Sequence, residues 1–311
     1  MVDGVNRLFP AGRPTAFGGD GAVRPGAPRP IDTAVPLREF QFTTADFERI
    51  RRLIHQKAGI SLSPAKQDMV YSRLSRRLRA CGDKTFADYL ERLERNPAEV
   101  ETFVNSLTTN LTSFFREAHH FDILAERLQK MGTRQPIKIW CAAASTGEEP
   151  YSIAMTACEA FNTLTPPVQI VASDIDTQVL AQGEAGVYRA DRIERMDPAR
   201  VRRFFLKGVG SQAEQVRVRP ELQRLISFRR VNLLDARYAV SGPLDFIFCR
   251  NVMIYFDKPT QYGILQRFAP LLRPEGLLFA GHSESFLHAA DLFRSRGRTV
   301  YERSDAPRDL G

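Results

Sequence analysis

The chain is poor in lysine: of its 44 basic residues only seven are lysines, so arginine carries almost all of the positive charge. Other absences narrow the field. The longest apolar runs, such as Leu277-Leu278-Phe279-Ala280, fall far short of the roughly 20 residues a membrane-spanning helix needs, so no span is expected. Met1-Val2-Asp3-Gly4 shows no basic segment leading into an apolar one, and no secretory leader is expected. The four cysteines, at 81, 141, 158 and 249, make neither a Cys-x-x-Cys pair nor a regular framework, which fits reduced buried thiols in a cytoplasmic protein. Cys141 precedes a small-residue turn, but a phosphatase loop needs an arginine where Gly147 stands.

What is present describes a globular protein. At 311 residues, 26% charged and 43% hydrophobic, the chain has room for two domains and a sizeable core. Its net charge is +8. An arginine-rich basic chain raises the question of nucleic-acid binding, which is settled by where the arginines lie. Residues 51–80 hold eight basic residues (Arg51, Arg52, Lys57, Lys66, Arg73, Arg76, Arg77, Arg79) against a single acid, Asp68, and so account for most of the excess. Residues 1–36 contain six glycines and six prolines with few large apolar side chains, the composition of a disordered tail.

From Phe42 the pattern is helical. Thr43 and Thr44 are N-cap candidates ahead of a stripe that includes Ile50 and Ile54. A second helix is predicted after Ser63-Pro64, with Tyr71, Leu74, Leu78 and Cys81 on one face and Arg73, Arg76, Arg77 and Arg79 roughly opposite. Further helices are predicted over 85–93 and 97–107, making 37–107 an all-helical domain. From Pro136 the grammar changes. Strands are predicted at 137–144, 168–172, 225–233, 244–249 and 277–281, and helices at 148–161, 177–185 and 259–272. Alternation of this kind implies a parallel, doubly wound sheet of the α/β class, with ligands at the carboxyl ends of its strands.

The chemistry-bearing residues fall at those ends. Ala143-Ala144-Ser145-Thr146-Gly147 puts small residues where a ligand must approach the backbone, just before a helix; it is neither a Gly-x-Gly-x-x-Gly loop nor a P-loop. Asp174, at the end of the second strand, stands where nucleotide-binding sheets place an acid on the ribose hydroxyls. Glu148 and Glu149 open the next helix. Two carboxylates there repel phosphate and suit a cofactor bearing ammonium or sulfonium groups, which points away from NAD and ATP and toward S-adenosyl-L-methionine. Asn232 and Leu233, after the third strand, could meet an adenine edge. The loop from Phe248 to Phe256 lacks the Asp/Asn-Pro-Pro-Tyr motif of amino-directed nucleic-acid methyltransferases. Tyr255 reads equally as a core phenol, and His282 as a structural histidine.

Several of these segments resemble one family closely. NLTSFFR at 110–116, AASTGEEPYS at 143–152, ASDID at 172–176, FCRNVMIYF at 248–256 and LLFAGHSE at 277–284 are similar to the chemotaxis-receptor glutamate O-methyltransferases, the CheR family. The similarity runs from about residue 40 to about 303. It implies the 37–107 helical domain followed by a Rossmann-like S-adenosylmethionine-binding domain over 108–305, with a short tail at 306–311. A small antiparallel β-subdomain would be inserted at about 197–227. The resemblance carries cofactor contacts to Asn110, Thr112, Arg116, Glu149, Asp174, Asn232, Leu233, Arg250 and Asn251, with Arg116 and Tyr255 flanking the transferring methyl and no metal. Glu149 is preferred to Glu148 for its spacing to Asp174.

It also implies methyl transfer to receptor glutamates, with S-adenosyl-L-homocysteine as product. No strong general base is required, since a glutamate of pKa about 4.3 is already ionised at neutral pH. The expected partner is the cytoplasmic helical bundle of chemoreceptors, whose acidic surface Arg73, Arg76, Arg77 and Arg79 would dock, rather than nucleic acid or membrane. Gly208-Val209-Gly210 resembles the site of members tethered to a receptor C-terminal peptide, and reads otherwise as a hairpin turn. Two other classes stay open from the sequence: a nucleic-acid methyltransferase, and a non-catalytic binding module of the same fold.

Overall fold

The computed structural model describes residues 38–132 and 135–306; the predicted tails at 1–36 and beyond 306 lie outside them. From Glu39 onward the chain packs as one unit. Its first part is four helices, α1 (Thr44–Ala58), α2 (Gln67–Cys81), α3 (Phe86–Arg95) and α4 (Pro97–Leu107). Local sequence sets their ends. Thr43 and Asp46 form a reciprocal capping box at the start of α1, and Gly59, at φ 72°, ends it in the left-handed conformation. Thr85 caps α3, while Asn96 with Pro97 at the first helical position starts α4. Ile50, Ile54, Val70, Leu74, Leu78, Tyr89 and Phe103 pack into a sealed core. Tyr71 and Cys81, on the predicted apolar face, are only half-buried.

Next comes α5 (His119–Met131), which the sequence reading did not identify, packed on α6 (Glu148–Ala160). Its N-cap, Ala118, supplies no side-chain bond, so the usual start signal is missing. The main sheet uses β1 (Ile137–Ala142), β2 (Val168–Asp174), β6 (Ile226–Arg230), β7 (Leu244–Cys249), β8 (Leu272–Phe279), β9 (Phe293–Ser295) and β10 (Val300–Arg303), in the order β6-β2-β1-β7-β8-β10-β9. The five strands from β6 to β8 are parallel; β10 and β9 add an antiparallel edge. Helices α6, α7 (Thr177–Ala185) and α10 (Lys258–Phe268) connect the parallel strands. Because β1 lies between β2 and β7, the strand order reverses beside it, and a crevice opens at the carboxyl ends of these strands.

A separate sheet is built from β3 (Val187–Arg189), β4 (Phe205–Lys207) and β5 (Gln215–Val218), in the antiparallel order β3-β5-β4; α8 (Pro198–Phe204) precedes β4, and α9 (Pro220–Gln223) follows β5. This corrects the expected limits of the insert. The sheet takes Val187–Arg189, outside 197–227, whereas residues 226 and 227 belong to β6 of the main sheet. Three-residue strands are too short to show alternation, so no local pattern marks where this sheet begins. Gly208 closes the β4–β5 connection, where an added Cβ would lie 1.9 Å from the Gln212 carbonyl oxygen. Among the described residues no helix is long and apolar enough to cross a membrane.

Candidate functional site

A cavity of about 610 Å³ lies where the helical part meets the carboxyl ends of the strands. Its lining includes all ten residues singled out for the cofactor and the methyl group: Asn110, Thr112, Arg116, Glu149, Asp174, Asn232, Leu233, Arg250, Asn251 and Tyr255. The turn after β1 forms its floor. Ala143, Ser145 and Gly147 all have positive φ, a tight path that presents backbone rather than side chain. At Gly147 a Cβ would meet the Gly183 Cα and the Tyr188 hydroxyl at 2.9 Å, so this glycine lets the turn lie against α7.

Asp174 ties the floor to the next strand. One carboxylate oxygen accepts the Ser145 N–H at 2.9 Å and the other the Asp176 N–H at 3.1 Å. Burial pushes the Asp174 carboxyl upward, with those amide donors opposing it. Asp176, which caps α7, accepts the Asn110 amide at 3.1 Å, while the Asn110 carbonyl accepts the Ser145 hydroxyl.

The two acids of α6 part company. Glu148 is buried, paired with Arg192 and bonded to the Thr146 hydroxyl, and does not line the cavity. Glu149 does, held by the Arg250 guanidinium at 2.6 Å and by the Cys141 thiol at 3.2 Å. The Arg250 side chain is 1% exposed and also pairs with Glu117 at 3.2 Å. It is therefore a buried cation neutralised by two carboxylates. Against the penalty of burial, His282, Arg250 and Asn251 together hold the Glu117 carboxyl down at about 2. Neighbouring His120 is fully buried and donates from Nε2 to the Arg298 carbonyl; burial, then Arg250, lowers its pKa to about 4. His282 is exposed, and its ring meets Glu117 at 3.1 Å.

The loop after β7 is shaped from behind by Glu284. This buried carboxylate accepts the N–H groups of Asn251 (3.0 Å), Met253 (2.7 Å) and Gly281. Tyr255 follows in a short turn, half-buried against the helical core, and its carbonyl accepts the Ser61 N–H at 2.7 Å from the α1–α2 loop. Asn232 donates to the Lys57 carbonyl at 2.8 Å and accepts from Leu234 N–H, so its amide already joins the sheet to α1. Glu117 and Glu284 were not among the residues singled out from sequence. The only signals were their places beside Arg116 and at the end of LLFAGHSE.

The four α2 arginines divide. Arg76 and Arg79 are exposed, Arg79 pairing with Glu39 at 2.9 Å. Arg73 lines the cavity and donates to the Thr108 carbonyl. Arg77 turns inward: its Nε and Nη2 donate to the two oxygens of Glu99 at 3.0 and 2.8 Å, and the Tyr89 hydroxyl donates to the same carboxylate at 2.9 Å. Arg77 is thus a poor docking residue. Its charge is spent on a buried carboxylate.

The donor set fits S-adenosylmethionine. The volume suits a ligand of that size. A buried aspartate sits beside the bare turn for a ribose, and a carboxylate at the start of α6 suits a cationic amino-acid group.

Comparison with known proteins agrees. Residues 110–301 match the family described as "CheR methyltransferase, SAM binding domain", and residues 45–108 match "CheR methyltransferase, all-alpha domain". Chemotaxis protein methyltransferase 2 of Pseudomonas aeruginosa is 54% identical over 276 residues, 88% of this chain and 99% of that protein. The chemotaxis protein methyltransferase of Salmonella typhimurium is 53% identical across 84% of this chain and 90% of its own length. That of Escherichia coli is 52% identical across 84% and 91%. With both halves matched and full-length relatives above 50% identity, the chain belongs to the CheR family of S-adenosylmethionine-dependent methyltransferases.

Proposed function

We propose that the chain methylates glutamate side chains of bacterial chemoreceptors, giving γ-methyl esters and S-adenosylhomocysteine in chemotactic adaptation, and that the cavity beside β1 is where this occurs. The observation that carries the reading is the convergence of the NLTSFFR, AASTGEE, ASDID and FCRNVMIYF segments on one cavity. When bound there, the cofactor supplies an electrophilic methyl on a sulfonium. Asp174 and the 143–147 turn would hold its ribose, Glu149 its amino group, and Asn232 and Leu233 its adenine.

The acceptor carboxylate needs alignment and partial desolvation rather than deprotonation. Arg250 is unsuited to hold it, being buried and neutralised already by Glu149 and Glu117. Arg116 is half-buried on the cavity wall, with Nη1 on the Leu111 carbonyl at 3.0 Å, and is the cation placed to steer an incoming carboxylate. A moderate grip is what the reaction requires. Opposite charges are annihilated on the way to the transition state, so a tight ion pair would stabilise the reactants more and slow transfer. Tyr255, fixed through its backbone by Ser61, shapes the methyl channel and excludes water.

The receptor's cytoplasmic helical bundle is the proposed partner, with exposed Arg76 and Arg79 as docking charges and a C-terminal receptor peptide at the small sheet near Gly208–Gly210 as a second contact. The test offers labelled S-adenosylmethionine with a receptor cytoplasmic fragment or with nucleic acid. Label on the fragment that is released by mild alkali is expected, since carboxyl methyl esters hydrolyse and methylated bases do not. Alkali-stable label on nucleic acid would refute the reading.

A further inference from the structure

The cavity mouth carries a feature that cofactor binding does not explain. Among the described residues six large apolar side chains stand exposed: Leu111, Met131, Leu206, Val209, Ile254 and Leu287. Only Leu111 and Ile254, at 77% and 51% exposure, also line the cavity. A side chain that both borders a cavity and faces solvent stands at its rim. The two come from the segments that bear the reacting groups. Leu111 offers its carbonyl to the Arg116 guanidinium, and Ile254 immediately precedes Tyr255. The same lining holds the cations Lys66, Arg73 and Arg116, whereas its carboxylates Glu149 and Asp174 are tied to Arg250 and to the floor amides.

We infer that Leu111 and Ile254 form an apolar clamp that grips the aliphatic side chains flanking the acceptor glutamate, so that this enzyme prefers acceptors set in an amphipathic, acidic segment over equally accessible glutamates among charged neighbours. The inference rests on the receptor-methylation reading above. Charge complementarity selects the occupant: cations at the mouth attract an acidic segment, and the leucine and isoleucine bury against its apolar residues once it has docked. Leaving two aliphatic side chains in water is unfavourable, and covering each would favour binding about tenfold or more.

Replacing both residues by serine and following methylation of a receptor cytoplasmic fragment tests this. The KM for the fragment should rise at least tenfold, with kcat at saturating fragment and the Kd for S-adenosylmethionine, measured by calorimetry, each changed less than twofold. Leu111→Met with Ile254→Val should restore the low KM. An unchanged KM would overturn the clamp, as would an equal loss of cofactor affinity, which would make the pair cavity wall. If the wild-type protein leaves the fragment unmethylated, the receptor reading itself falls, which is a distinguishable result.

Discussion

Replacing Arg77 by alanine separates its structural role from the docking role proposed for its neighbours on α2. In the structure Arg77 gives two charge-assisted hydrogen bonds to Glu99, whose side chain is 9% exposed. Removing one partner of a buried pair costs about 3–5 kcal/mol, because the remaining charge loses its compensation. Here the loss is smaller. The Arg77 side chain is 26% exposed, so water can enter, and Glu99 keeps the Tyr89 hydroxyl and its place in the first turn of α4. About 2–3 kcal/mol remains, which corresponds to a fall in Tm of roughly 5–10 °C. Arg76→Ala and Arg79→Ala, at exposed positions, should change stability by less than about 1 kcal/mol. Their effect should fall on the KM for a receptor fragment and should weaken with added salt. Thermal unfolding by circular dichroism beside methylation kinetics reads both quantities. A wild-type Tm for Arg77→Ala together with a tenfold higher fragment KM would refute the inward assignment.

Three further perturbations address the site's supports. His120 is buried neutral with its pKa lowered to about 4, so the folded state binds fewer protons than the unfolded chain between about pH 6.5 and 4. Its contribution is therefore full above pH 6.5 and is lost as pH falls to 4, about 3 kcal/mol in all. His120→Gln should flatten urea midpoints over that window, and an unchanged pH dependence would exclude His120 as the cause. Gly281→Ala would place a Cβ 2.2 Å from the Asn251 amide nitrogen and 2.8 Å from its backbone nitrogen. A tenfold or greater loss of cofactor affinity is expected by calorimetry, and unchanged binding would show that the loop yields. Glu284→Gln sets an amide among backbone N–H donors and should cost about 3 kcal/mol. Faster hydrogen exchange at Met253 should accompany it, and unaltered exchange there would contradict the anchoring role.

Much of the fold could be read where local chemistry announces itself. The helix at 97–107 carries Asn96-Pro97 at its start, the helix at 177–185 is bounded by Asp176 and Gly186, and the strand at 244–249 is apolar at every position but Asp245. What was not legible depends on distant partners or missing signals. Helix α5 begins at an uncapped alanine, and β3 and β4 have three residues each. Arg76 and Arg77 look alike in sequence, yet adjacent helix positions point about 100° apart, and only Glu99, 22 residues away, decides which turns inward. Glu284 acts on backbone amides up to 33 residues back, a relation that no local pattern records. Asp174, Glu149, Asn232 and Leu233 were legible from their places at strand ends and a helix start, and the other candidate residues only through motif resemblance. Their convergence is a property of the sheet, which brings the ends of separate strands together.

The bond from Ser61 N–H to the Tyr255 carbonyl bears on modularity. Family boundaries meet near residue 108, as though a recognition module had been joined to a catalytic one. Yet Ile60, Leu62, Ser63 and Met69 line the cavity beside the strand ends, and Lys57 is anchored by Asn232. An exchange of helical domains between relatives would therefore transplant one side of the cavity along with the proposed docking surface. Chimeras that swap residues 39–108 should change turnover as well as receptor preference. Evolution of a new target is then constrained by the chemistry it must leave intact.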